Sequence, residues 1–315
     1  MVALRSCIKS SMKAGFTLIE MSIVLVIIGL IIGGVLVGQD LIRVAETRAT
    51  IGQIEKFNAA VNTFRGKYGF LPGDINSTTA NAFGFAARGT GQGQGDGNGE
   101  IEGLTNNGLA QGGGETVMFW VDLSRAGLIN GGFKTASSTL NYSTDITGTI
   151  VDLFLPQAKL GGGNYFYVYS GTYWNGSAYS NTSINYFGLS SAIDILSVTD
   201  WGYMDSTANI PVTQAYAIDS KIDDGMPQSG NVMAWYLGNI SPIVPGQYWT
   251  DGTDATLVAN EPKPYAGALA GSSTTCYDNS SASSGSPGIA GAITHYSLEI
   301  KSGTGANCAL SFKFQ

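Results

Sequence analysis

Charge is scarce in this sequence. Of 315 residues, 16 are Lys or Arg and 23 are Asp or Glu, 12% of the chain and about half the usual ~25%. The formal net charge of −7 leaves no general electrostatic footprint for nucleic acid. Histidine is scarcer still. His295 stands alone in a stretch that reads as a strand, where a structural role fits better than catalysis. There are three cysteines, with no CxxC pair and no Cys/His cluster to spell out a metal or redox site. A G-x-S-x-G elbow, a P-loop and an H-E-x-x-H helix are also missing. The chain therefore reads as non-enzymatic. No internal repeat is evident. What stands in excess is glycine, at 44 residues roughly double the usual share. Ser, Thr and Asn fill much of the rest, the texture of a secreted, loop-rich β protein.

The longest feature is an uncharged run. Between Glu20 and Asp40 lie 19 residues without a charge, which reads as a membrane-spanning helix. As a helix, Phe16 to Val37 extends roughly 33 Å at about 1.5 Å per residue, enough to cross a bilayer core. Ahead of it stand Arg5, Lys9 and Lys13 and no acid. Such a basic flank keeps its end cytoplasmic and sends the remainder across the membrane. Glu20 is the anomaly, because an unpaired carboxylate in a membrane segment costs roughly 2.5–3.5 kcal/mol. A cut after Gly15 supplies a partner: the new α-amino group on Phe16 is cationic and about one helical turn from Glu20. Within one subunit the pair can partly neutralise itself. Between stacked subunits, the carboxylate of one meets the amine of the next and fixes their axial register. The plainer alternative is a signal anchor with a stray Glu near the interface.

Gly15-Phe16-Thr17-Leu18-Ile19-Glu20 resembles the cleavage and methylation motif of type IV prepilins and of the pseudopilins of type II secretion. Those families have a short basic leader, Gly before the cut, Phe after it, Glu as the fifth mature residue, and then an apolar helix. The likeness is specific over residues 9–40 and weaker to Tyr68. It implies a membrane aspartyl peptidase that cuts between Gly15 and Phe16 and N-methylates Phe16. It implies an assembly role for Glu20 and, as partners, other pilin or pseudopilin subunits, that prepilin peptidase and an inner-membrane assembly platform. The subunit would sit in the inner membrane as a single pass with its C-terminal domain periplasmic, then leave it for a pilus or pseudopilus filament. Removing residues 1–15 would take the formal charge from −7 to −10, since three cations and no anion leave with them. The alternative is a membrane-anchored adhesin or binding module for DNA, a glycan or a secreted substrate, although the charge does not indicate nucleic acid.

The fold class expected is α+β and pilin-like, a long N-terminal helix packed on an antiparallel β-sheet with extended Gly/Ser-rich loops. Residues 1–15 form the leader, 16–68 the transmembrane and assembly helix, 69–162 a loop region with a short helix near 115–127, and 163–315 a β-rich head. The helix has an all-apolar first half and an amphipathic second half. From Ile54 the apolar positions Phe57, Val61, Phe64 and Tyr68 follow at spacings of 3, 4, 3 and 4. Gly29, Gly33, Gly34 and Gly38 weaken the first half and allow close helix approach, with local melting on assembly as a hypothesis. Gly66, Gly69 and Pro72 end the helix.

Residues 69–114 read mostly as loop. Within them Asp96, Asn98, Glu100 and Glu102 set oxygen ligands at alternate positions, like the start of a calcium loop. Asn107 stands where the bidentate Glu of a full loop belongs, and a plain flexible turn is the alternative. Residues 164–170, 172–174 and 183–189 read as strands, with Asn175-Gly176 as a tight turn. Their many tyrosines offer either a surface-binding face or a sheet packed on the helix. A second helix is expected from Pro211 to Gly225, with Asp223 and Asp224 either capping a turn or holding a cation. Residues 231–237 read as a buried strand, 251–292 as exposed loop, and 295–300 and 309–314 as closing strands. Cys7 would leave with the leader. Cys276 and Cys308 in an exported domain read as a disulfide, or else as two free thiols. Type IV pilins often tie down their C-terminal region with such a bridge.

Overall fold

A computed structural model describes residues 17–104, 111–139, 145–174, 179–195, 203–227, 229–239, 245–249, 276–279, 294–296, 298, 306 and 308–314. The chain divides into two units, one ending at Ala45 and one beginning at Glu46. Helix α1, Leu18–Tyr68, runs through both and is 51 residues long. Its first part is long and apolar enough to cross a membrane by length and composition. There the large apolar side chains point outward all round, from Leu18 at 90% exposure to Leu30 at 72% and Leu41 at 65%. The helix is unbroken through Gly29, Gly33, Gly34 and Gly38, and a Cβ on any of the four would meet open space. A surface apolar on every side has no soluble core to join; lipid or sister helices must cover it.

In the second unit α1 changes character as its spacing predicts. Ile54, Phe57, Val61 and Phe64 are buried, while Glu55, Lys56 and Arg65 stay exposed. Gly66 lies inside the helix, and the stop is Gly69, whose left-handed φ of 80° suits a residue without a Cβ. The 69–114 segment is not loop throughout. Helix α2, Ser77–Phe83, starts where Asn76 accepts the amide of Thr79 and ends at Gly84 with φ 72°. Helix α3, Glu115–Arg125, and helix α4, Val212–Ile222, lie close to the expected positions.

The sheet has six antiparallel strands built on β3. Strands β1 (Ile146–Thr147), β2 (Asn164–Trp174) and β4 (Met204–Thr207) pair with β3 (Tyr179–Ile195). Strand β10 (Leu310–Lys313) lies between β3 and β5 (Val232–Met233). A two-stranded sheet joins β6 (Trp235–Asn239) to β7 (Pro245–Trp249), and another joins β8 (Tyr277–Asn279) to β9 (Thr294–Tyr296). Two expectations change. The single strand read over 231–237 is split between two sheets at Ala234. Part of the loop read over 251–292 is strand β8, and Cys276 beside it is fully buried. The Asn175-Gly176 turn lies outside the described residues.

Period-2 alternation gives the sheet two buried faces. Phe166, Phe187 and Phe312 share one face, where Phe57 of α1 meets Phe166 and Phe187 with ring centroids 5.3 and 6.0 Å away. Trp120 of α3 closes on Phe57 at 5.0 Å. Tyr165, Tyr167, Tyr169 and Tyr186 lie on the other face and are all less than 9% exposed. Their hydroxyls are used inside: Tyr169 donates to Ser311 at 2.7 Å, and Tyr167 meets Ser190 at 2.9 Å. These four rings are core, not a ligand platform. Gly188 makes room for one of them, since a Cβ there would sit 2.1 Å from the Tyr167 ring.

Cys276 and Cys308 form a disulfide across 32 positions, and Cys308 also exchanges backbone hydrogen bonds with Ile210 ahead of α4. The bridge thus ties the β8 segment to the core. Replacing both cysteines by serine is expected to lower unfolding stability by roughly 3–4 kcal/mol in the chain-entropy picture. Urea denaturation of parent and variant measures this, and equal midpoints would show that the bridge adds nothing.

Candidate functional site

Three places in the described residues concentrate polar chemistry. At the start of α1, Thr17 and Glu20 bond reciprocally. Glu20 Oε2 accepts both the Thr17 amide and the Thr17 hydroxyl, each at 2.8 Å, and Thr17 Oγ1 accepts the Glu20 amide at 3.3 Å. This is a capping box: a Thr N-cap and a Glu three residues on satisfy two amides that lack helical partners. Both bonds that the Glu20 carboxylate accepts among the described residues fall on Oε2. Gly15 and Phe16 lie outside the described residues. The T-x-x-E spacing that marks Thr17 is plain in the sequence, while the prepilin-type pattern singles out Gly15, Phe16 and Glu20.

The second place is the loop over 93–102. It hangs on two carboxylates that sequence reasoning did not single out. Asp74 accepts the amides of Gly97 at 2.6 Å and Gly99 at 2.9 Å. Glu115, at the first position of α3, accepts those of Gly95 at 2.9 Å and Glu102 at 3.0 Å. The four residues of the calcium-like pattern go different ways. Asp96 caps the Asn98 amide, and Asn98 caps that of Glu100. Glu100 takes the hydroxyl of Ser183 at 2.5 Å, and Glu102 is buried against Asn98 and Gln92. Asp96 instead joins Asp74 and Glu115, each offering one oxygen within 4.8 Å of the others. Those three, only one of them in the loop itself, form a group that could hold a hard cation.

Burial pushes Asp74 up to about 7, and the nearby Asp96 adds to the rise. Burial, then the neighbouring Asp74, pushes Glu115 well above the carboxylate range. Carboxylates this close cannot all ionise without a counter-charge. A carboxyl group with a raised folded pKa gives stability that is complete below its unfolded value near 4 and is lost as pH rises through about 7. The thermal midpoint is therefore expected to fall between about pH 5 and about pH 8, and Glu115→Gln should make the fall shallower. Differential scanning calorimetry checks this; a parent midpoint that rises over that range contradicts it. The same scans with calcium test the cation reading, since an occupied cluster raises the midpoint at the higher pH.

The loop is anchored by a buried ion pair. Arg88 meets Asp122 of α3 at 2.5 Å, and both side chains are fully buried. Asp122 also accepts the amide of Gly73, whose Cβ, if present, would lie 2.4 Å from the Glu115 carbonyl. Arg88 and Asp122 are 34 positions apart, so no local spacing announces them.

A third set of acids closes the C-terminal end of α4. Asp219 accepts the Gly225 amide and the Tyr296 hydroxyl, and burial pushes it up to about 7. Asp223 accepts the amides of Asn231 and Val232, and Asp224 takes the Met226 amide and the Ser229 hydroxyl. Asp223 and Asp224 thus cap the turn, as one of their two expected roles has it. An open groove also runs along α1, lined by Lys56, Ala60, Leu128, Ile129 and Phe133.

Residues 10–36 match the family described as the prokaryotic N-terminal methylation motif. The matched stretch holds Gly15, Phe16, Thr17 and Glu20 and most of the exposed apolar part of α1. No curated protein and no solved structure matches the chain.

Proposed function

We propose, from that prepilin-type motif, that the protein is a structural subunit of a type IV pilus or of a type II secretion pseudopilus. One combination carries the reading. A methylation motif stands at the head of a continuous helix whose first part exposes apolar side chains on every side. A prepilin peptidase cuts between Gly15 and Phe16 and methylates the new amine on Phe16. The chain then waits in the inner membrane, with lipid covering the apolar stretch and the domain from Glu46 onward on the periplasmic side. On assembly, sister helices replace lipid, and Glu20 takes the Phe16 amine of a neighbour. Within the unit from Glu46, Phe57, Trp120 and Phe166 bind the second half of α1 to the sheet, which supports a filament role.

Mass spectrometry of the protein recovered from its host's filament fraction tests the reading. The expected N-terminal residue is N-methylated Phe16. Intact Met1 on the assembled protein, or a cut beyond Val37, would sink the proposal.

A further inference from the structure

We infer that the groove along the second half of α1 is a socket for a neighbouring copy of this chain, and that the plug is the C-terminal end of α4 with Tyr216, Ile222 and Asp224. This rests on the filament reading above and gives it a specific contact within the domain from Glu46 onward.

The groove has a volume of about 980 Å³. Where α1 lines it, the side chains of Ala49, Gly52, Ala59 and Ala60 are small, so a partner can come close to the helix. Leu128, Ile129, Phe133 and Pro156 make the rest of its lining largely apolar. Lys56 and Lys159 also line it; both are exposed, and neither meets a carboxylate among the described residues. The one acid of the lining, Asp152, is already in use. It accepts the Tyr165 hydroxyl at 2.6 Å and the Gln157 amide at 2.7 Å. The groove is therefore apolar with a net positive charge, and its complement is an apolar surface that carries acid.

Few places on this chain answer that description. Apart from those on the apolar part of α1, the large apolar side chains exposed among the described residues are Phe83, Ile150, Leu153, Tyr216 and Ile222. Phe83 has no acid near it in the chain, since residues 75–95 hold none. Ile150 and Leu153 lie within two residues of Asp152, on the groove's own margin. Tyr216 and Ile222 remain. Ile222 is the last residue of α4, and Asp223 and Asp224 follow it directly. Tyr216 stands beside the same turn, because a Cβ on Gly225 would lie 3.3 Å from its ring. Asp224 is exposed; one oxygen takes the Met226 amide and the other the Ser229 hydroxyl. Each carboxylate oxygen has two lone pairs, so both can still accept from a lysine. Lys221 is the one cation at this end of α4, against two acids.

Socket and plug are different patches of one molecule, so the contact is heterologous. Each copy fills the groove of the next and has its own filled by the one before. Contacts of this kind close into rings or run on as helical filaments, whereas a self-complementary patch stops at a dimer.

The test uses filaments sheared from the host and carrying Ala59→Cys together with Ile222→Cys, both at exposed positions. After treatment with a flexible bismaleimide, a denaturing gel should show a ladder of dimers, trimers and longer species. Each single-cysteine variant should stay monomeric. Separately, Lys56→Glu with Lys159→Glu should lower incorporation into filaments by about ten-fold, since like charges facing each other across an interface are costly. Adding Asp224→Lys should bring it back to within about three-fold of the parent. Filaments that contain the protein but give no cross-link, a cross-link inside one copy, or dimers that do not extend would overturn this inference and leave the prepilin reading standing. A charge reversal that Asp224→Lys does not relieve would do the same. A parent chain absent from filaments would sink that reading and this one together.

Discussion

Glu20→Ala is expected to leave the protein in the membrane and remove it from filaments. Quantified by immunoblot of sheared filaments against membranes, incorporation should fall by about ten-fold or more, because removing one member of an ion pair enclosed by a filament leaves the other charge desolvated and unpartnered. In the proposed filament the stranded group is the Phe16 amine of the neighbouring subunit. Glu20→Gln separates the two things Glu20 does. Gln can still close a capping box with Thr17 but cannot neutralise an amine, so this variant should also fail to assemble. Normal filaments from Glu20→Ala would remove the charge pair from the account. Normal filaments from Glu20→Gln alone would reassign the residue's role to the hydrogen bonds it makes at 2.8 Å.

The second large effect is expected in the folded domain. Asp122→Ala should destabilise it by about 3–5 kcal/mol, a large share of the total stability of an ordinary domain. The Arg88 guanidinium would be left fully buried with no carboxylate in contact, and the Gly73 amide would lose its acceptor. This one side chain ties both Gly73 and Arg88 to α3. Replacing the pair together, as Arg88→Met with Asp122→Leu, should cost much less than Asp122→Ala alone, because no charge is then stranded. Chemical denaturation of the parent and the two variants measures the difference. A single variant no worse than the double would mean that Arg88 finds water or another partner when Asp122 is gone.

What was legible in the sequence, and what was not, divides by range. Helix α1 and its change of character were readable because the apolar stripe from Ile54 to Tyr68 repeats at helical spacing and the uncharged run is contiguous. Helices α3 and α4 announced themselves by local composition and by Gly127, Pro211 and Gly225. Strand β10 was visible as Ala309 to Phe314, but not its place between β3 and β5. Register across more than a hundred positions leaves no local trace. The split at Ala234 was missed for a related reason: a short apolar run looks the same whether one sheet or two receive it. At the candidate site, Glu20 stood out against its apolar surroundings, whereas Asp74, Arg88, Glu115 and Asp122 look like ordinary surface charges until tertiary contacts bury them. The alternation of oxygens from Asp96 to Glu102 was real, but the carboxylates grouped with Asp96 are Asp74 from an earlier loop and Glu115 from α3.

The position of β10 bears on how the protein is made. A strand near the far end of the sequence fills the slot between β3 and β5, and hydrogen bonds from Leu310 to Lys313 complete the sheet. Until Leu310–Lys313 have been made, one side of β3 offers unpaired amides and carbonyls to any passing strand. A nonsense codon even shortly before Leu310 should therefore yield a product that cannot close its sheet and is cleared by proteases.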